Sequence, residues 1–338
     1  MKVIIRSPNW VGDAVMALPV MQCARQATDA DYVAVMARNA VAPLFRNMPE
    51  VDRTVTIDDK SSPLLGPRQA AAAIKDDQYD IGLILPPSFS SALIFKLAGV
   101  KGRIGYATDK RSLLLTRAIP IPSEKRHRAR QYQYLLDKIT GRPAEFHDPQ
   151  LPLSHENIAQ GKEVLAPHAL TYDDHYLAIA PRAIAPSRRW GAGRYGRLAT
   201  RLAAALHVKI VLIGTAGDFD DGEKAAACDR DHIINLCGKT DLLSAAAILS
   251  FARLFIGNDS GLAHLAGAVG CPLVVLSGPD DPAETSPLCS RKEVIIKDID
   301  CISCVRNDCP KKGDDFMRCM TLISEDDVYE KAIRIIKT

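Results

Sequence analysis

What most constrains this chain is a rhythm: short apolar, β-branched runs, each ending in a turn that hands over to a helical stretch. "KVIIR" (2–6), "DYVAVMA" (31–37), "RTVTI" (53–57), "DIGLILP" (80–86) and "GRIGY" (102–106) set it in the first half. It restarts with "HYLAIAP" (175–181), "KIVLIG" (209–214), "HIINLCG" (232–238), "RLFIGND" (253–259) and "PLVVLSG" (272–278). Parallel neighbours need a crossover, usually a helix, so strands alternating with helices predict a parallel sheet wound on both faces. Two sets predict an α/β chain of two doubly wound sheets. Ligands are then expected at the carboxyl ends of the strands, in turns opening on a cleft between the domains.

A length of 338 residues suits two domains. The stretch 147–174 is richer in proline and polar residues than its flanks, which places the boundary near 165–175. Val11, Val15 and Leu18 predict a helix after the first strand, although Pro19 would kink or interrupt it. Val328, Ala332 and Ile335 predict a closing helix. No run of about 18 apolar residues occurs, and the N-terminus lacks the long apolar core of a secretory signal, so a cytoplasmic location is expected. A net charge of +3 is too small to argue for nucleic acid, and no nucleic-acid-binding signature is present.

Several turns carry candidate chemistry. In "SPNWVGDAVMA" Gly12 allows a tight connection and Asp13 lies at the helix start. An acid there commonly caps the helix; the alternative is a general base, which needs the carboxylate turned away from the helix. In "APSRRWGAGRYG", Ser187, Arg188 and Arg189 precede a helix and suit a diphosphate, or else form a solvated loop anchored by Trp190. Thr215 ends the next strand and Asp218 lies near a helix start; Asp218 is a ribose ligand or a cap. In "GNDSGLAH", Asp259, Ser260 and Gly261 begin a helix whose N–H groups would suit a diphosphate. His264 is there a phosphate contact or a brace.

Two further clusters stand apart. The run "SEKRHRARQYQY" crowds Lys125, Arg126, Arg128 and Arg130 before a helix; it is a solvated face, a hold on an acidic acceptor, or a contact with an anionic membrane surface. Cys301, Cys304, Cys309 and Cys319 follow a C-x2-C-x4-C-x9-C spacing. In a reducing compartment this suggests structural zinc, then an iron–sulfur cluster, then free or disulfide-linked cysteines.

"SPNWVGDAVMALP", "RRWGAGRYGRLATRL", "NLCGKTDLLSAAAILSFARLFIGNDSG" and "GNDSGLAHLAGAVGCPLVVLSGPDDP" together resemble the ADP-heptose:lipopolysaccharide heptosyltransferases, glycosyltransferase family 9, of the heptosyltransferase II type. The resemblance spans nearly the whole chain, and Pro19 matches a proline that follows the family's G-D turn. It implies a GT-B architecture: a Rossmann-like acceptor domain (1–170), a Rossmann-like nucleotide-sugar domain (171–323) that includes the cysteines, and a final helix (324–338) packing back toward the first domain. It also implies inverting heptose transfer from ADP-heptose to the lipopolysaccharide inner core, a Kdo–lipid A acceptor with or without heptose already on it, without a catalytic cofactor and peripherally at the inner membrane. By position Asp13 resembles the family's general base, and Arg189 stands where the family usually has lysine on the donor diphosphate. Ser187, Arg188, Thr215, Asp218, Asp259, Ser260, Gly261 and His264 are expected on the donor, and Asn9, Gly12, Lys125, Arg126 and Arg128 on the acceptor. The other readings are a transferase for another nucleotide sugar, an epimerase on this fold, and a metal-binding cysteine-cluster sensor or scaffold.

Overall fold

The computed structural model of the chain describes residues 1–58 and 65–337 and divides into two compact units, Met1–Pro152 and Leu153–Thr338. The first holds β1 (Lys2–Arg6), β2 (Tyr32–Arg38), β3 (Arg53–Ile57), β4 (Ile81–Ile84), β5 (Gly102–Tyr106) and β6 (Arg117–Ile119). They form one parallel sheet in the order β3-β2-β1-β4-β5-β6. The second holds β7 (Tyr176–Ile179), β8 (Lys209–Leu212), β9 (Ile233–Asn235), β10 (Phe255–Asn258), β11 (Leu273–Leu276) and β12 (Lys292–Ile295). Its order, β12-β11-β10-β7-β8-β9, is also parallel, and read from the β9 edge it repeats the order of the first sheet. Each sheet therefore has a switch point, between β1 and β4 and between β7 and β10. There successive crossovers leave in opposite directions and a crevice opens at the strand ends.

The central strands read as continuous apolar runs because helices cover both faces. Val33 to Ala37 of β2 and Leu273 to Val275 of β11 are fully buried. The two strands that the apolar pattern does not announce, β6 and β12, lie at sheet edges, where one side needs no partner and the runs are short or mixed.

Pro19 does interrupt its helix. One helix spans Val11–Met16 and a second Leu18–Thr28, with Pro19 in the first turn of the second, where its missing N–H costs no hydrogen bond. The proline-rich stretch is not a bare linker. Ser154 and Asn157 form a reciprocal cap for helix His155–Leu165, which packs on helix Leu242–Phe251 of the second unit. Tyr172 stacks on Phe251 at 3.9 Å between ring centroids. The second compact unit thus begins at Leu153, before the compositional boundary, because these residues bury one face while their polar faces dominate the composition. The closing helix Glu325–Lys337 buries Val328, Ala332 and Ile335 and docks on helix Ala192–Leu206 and β12. Arg197 meets Glu325 at 2.6 Å and Lys331 meets Glu293 at 3.2 Å.

Gly82 in β4 lets the buried ring of Phe95 close on the sheet: a Cβ there would lie 2.4 Å from the ring and 2.9 Å from Val100. Overpacking of this kind costs about 1–3 kcal/mol. Gly82→Ala is therefore expected to lower the urea midpoint with little change in slope; an unchanged midpoint would show that the Phe95 packing is slack.

Candidate active site

In the first unit the chain leaves β1 at Arg6, whose buried guanidinium donates to the carbonyl of Ser7 (2.5 Å) and to Oδ1 of Asn9 (2.6 Å). These bonds fix the turn before helix Val11–Met16 and spend part of Asn9 on the protein itself. Trp10 stands out of the turn, 67% exposed. No side chain caps the helix, and Asp13 in its first turn accepts a hydrogen bond from the Tyr132 hydroxyl at 3.1 Å. Asp13 is thus turned off its own helix, the condition a general base requires.

Tyr132 is set by helix Arg128–Thr140, which packs on Leu18–Thr28 and brings the basic run beside Asp13. Burial, then the Asp13 carboxylate, raises its hydroxyl well above the usual tyrosine range, with the Arg128 charge opposing the rise, so it stays a donor. The other cations of the run diverge. Arg126 pairs with Glu124 (2.9 Å) and covers the Tyr134 ring, Arg130 covers Phe146, and Lys125 is exposed.

In the second unit three turns converge beyond the ends of β7, β10 and β11. Trp190 anchors the first of them: its Nε1 donates to the Ile323 carbonyl (2.8 Å) and its ring meets Tyr195 edge-on. Ser187, expected as a ligand donor, gives its hydroxyl to the Arg306 carbonyl (2.7 Å). Arg189 donates to the carbonyls of Ala183 and Ile184, both at 2.9 Å, and so braces the loop. Arg188 is the guanidinium that enters the polar cluster, 2.6 Å from Oδ1 of Asp280.

Asp280 is 4% exposed; burial pushes its carboxyl up to about 6, opposed by Arg188 and reinforced by Asp259. Asp259, equally buried, faces His264 Nε2 at 3.5 Å and the Thr285 hydroxyl at 3.4 Å, the contact a brace for the turn would make. Neither Asp259 nor Ser260 caps helix Gly261–Ala268, leaving its first N–H groups open to an anion. At the end of β10 and just after β11, Oδ2 of Asp280, Oγ of Ser277 and both side-chain polar atoms of Asn258 are buried without hydrogen-bond partners among the described residues. Such groups are rare in proteins and mark a place made for polar company.

Thr215 and Asp218 bond to each other as a reciprocal cap, at 2.7 and 2.8 Å, and Arg182 lies 3.5 Å from the other Asp218 oxygen; the capping use is what the geometry displays. The four cysteines Cys301, Cys304, Cys309 and Cys319 are free thiols around one small cavity. Among the described residues no three His, Cys, Asp or Glu side chains stand in metal-holding geometry.

Sequence reasoning missed Tyr132 and Asp280. Tyr132 sat inside the quoted basic run, and Asp280 follows the apolar run of β11 in a Gly-Pro-Asp-Asp turn. Acids and aromatics placed in strand-to-helix turns, or at helical spacing from a basic run, were the only local signals.

The sequence model of glycosyltransferase family 9 (heptosyltransferase) matches residues 68–313. The lipooligosaccharide heptosyltransferase 2 of Haemophilus ducreyi is 32% identical over 314 residues, covering 89% of each chain. The lipopolysaccharide heptosyltransferase 2 of Escherichia coli K12 is 29% identical over 310 residues, 87% of this chain and 88% of that one. Among solved structures, E. coli ADP-heptose lps heptosyltransferase II aligns with a TM-score of 0.84 at 26% identity, over 100% of this chain and 99% of that one. A family 9 glycosyl transferase from Veillonella parvula shares the fold with a TM-score of 0.89 at 20% identity, over 99% and 97% of the two chains. With two parallel sheets that match GT-B heptosyltransferases and a family match across most of its length, the chain belongs to glycosyltransferase family 9, the heptosyltransferases.

Proposed function

We propose that the chain transfers heptose, with inversion, from ADP-L-glycero-D-manno-heptose to the inner core of lipopolysaccharide, as a heptosyltransferase of the second type. The names of its relatives support the substrates; the observation that carries the mechanism is the Asp13 carboxylate, held off its own helix by Tyr132. Asp13 takes the proton of an acceptor hydroxyl as that oxygen attacks the anomeric carbon. The bond from that carbon to the diphosphate oxygen breaks, and its electron pair leaves with ADP. Arg188 and the N–H groups of helix Gly261–Ala268 bear the charge that develops on the diphosphate, so no step runs through a metal. Arg189, the expected diphosphate ligand, acts in this reading by holding the loop that presents Arg188.

Arg128, with Lys125 and Arg126 nearby in sequence, suits an anionic acceptor, and Trp10 offers an aromatic face for a sugar. A lipid-anchored acceptor would bring the chain to the inner-membrane surface peripherally; among the described residues no helix is long and apolar enough to cross a membrane. An ion held by the four cysteines is structural in this scheme.

Asp13→Asn is expected to lower kcat by about 10²–10⁴-fold while ADP affinity stays as it was; turnover near the native rate would remove Asp13 from the chemistry. Arg188→Ala should weaken ADP binding by about 10–100-fold, the loss of a charge-assisted hydrogen bond. Arg189→Ala should chiefly lower the melting temperature, and equal effects on ADP from both variants would contradict the division of labour. ADP drawing Arg188 away removes the charge that holds Asp280 ionised against its burial, and Asp259 alongside raises Asp280 further while His264, when protonated, lowers it. Binding should therefore take up protons at and above about pH 6 and tighten as pH falls toward 6. Calorimetry in buffers of different ionisation enthalpy would show this for the native chain and not for Asp280→Asn; identical proton uptake in both would refute it.

A further inference from the structure

The loop from Cys301 to Cys319 carries chemistry that the transfer does not use. The four cysteines line a cavity of about 150 Å³. Cys309 Sγ already accepts the N–H of Met317 at 3.4 Å, the kind of bond that stabilises a thiolate. Ser303, Val305 and Met317 hold left-handed backbone, φ 56°, 55° and 52°, a conformation such residues keep only where their surroundings impose it. Arg306, Lys311 and Arg318 border the same cavity, positive charge suited to a site of four thiolates and one divalent ion, although Arg318 also pairs with Asp315 at 3.1 Å.

The loop is also fastened to the donor turns. The Ser187 amide donates to the Asn307 carbonyl (3.0 Å) and its hydroxyl to that of Arg306 (2.7 Å). The Val305 amide donates to the Pro279 carbonyl (2.7 Å), and the Ser303 hydroxyl to that of Asp280 (3.1 Å). Gly278 completes the contact: a Cβ there would lie 2.5 Å from Met320 Sδ and 3.1 Å from Cys319 Sγ, so the end of β11 rests directly on the cysteine segment. Both partners of the Arg188–Asp280 pair are thus flanked by residues bonded to the loop.

We propose that Cys301, Cys304, Cys309 and Cys319 close on a single thiophilic divalent cation of the zinc class, and that its presence sets the position of the Arg188–Asp280 pair. Each thiol that ligates gives its proton to solvent, so up to four protons leave as four metal–sulfur bonds form, with no change of oxidation state. The four side chains line one cavity but do not yet stand in ligating geometry, so binding draws them together around it. The effect on ADP rests on the donor-site reading above; the ion site does not.

The test uses the full chain, purified under reductant without oxygen and stripped with a chelator. Cobalt(II) is the probe, because sulfur-to-cobalt charge transfer reports thiolate ligation. One equivalent should produce that band and zinc should displace it, while Cys304→Ser, an exposed position, should lose at least about tenfold in affinity. Hydrogen exchange should slow about tenfold at the Ser187 and Val305 amides on loading with zinc, and ADP should bind about five- to tenfold tighter to the loaded protein. Absence of the band at one equivalent overturns the ion site, and equal exchange at both amides in loaded and stripped protein overturns the coupling. Failure of ADP to bind in either form counts against the nucleotide reading alone, since the exchange rates still decide the coupling.

Discussion

A carboxylate buried as deeply as Asp280 keeps its charge only in the company of a cation, and Arg188 is that cation. The pair is a costly way to fill space, since both ions give up water that their mutual attraction only partly replaces. Its consequence is positional. Arg188 has its guanidinium held from one side, so the loop after β7 cannot swing away from the ends of β10 and β11 without stranding Asp280. Trp190, Ser187 and Arg189 fasten the same loop through backbone carbonyls, which leaves Arg188 as its one side chain aimed into the polar cluster.

The first unit solves a related problem with fewer charges. Helix Val11–Met16 is too short to be stable alone, so the direction in which Asp13 points is decided by what packs against it. That partner is a neutral hydroxyl, which orients a carboxylate without neutralising it. A lysine or arginine in place of Tyr132 would hold Asp13 as firmly and make it a poorer base.

The sheets were legible because burial on both faces writes long apolar runs that no helix or loop imitates, and ten strands could be placed from them. β6 and β12 were not, since an edge strand is short and half exposed. In the sites, legibility followed sequence distance. The turns holding Asp13, Arg188 and Asp259 announced themselves through glycine, charge and position after a strand. Their partners did not: Tyr132 lies 119 residues from Asp13, and Asp280 lies 92 from Arg188. Which of two adjacent arginines enters the cluster was equally hidden, because a loop's backbone bonds decide it. Positional likeness to a family favoured Arg189, whereas the carbonyls of Ala183 and Ile184 claim it.

The repeated strand order has a consequence of another kind. Each unit places its chemistry at its own switch point on its own scaffold, with its own core, so a change that reshapes the turns of one sheet leaves the other sheet's turns intact. On the reading proposed above, recognition of the sugar nucleotide and recognition of the molecule receiving the sugar then become separately mutable traits. On that reading a lineage diversifies the glycans it builds by altering loops after β1 to β6 while a single activated sugar is kept.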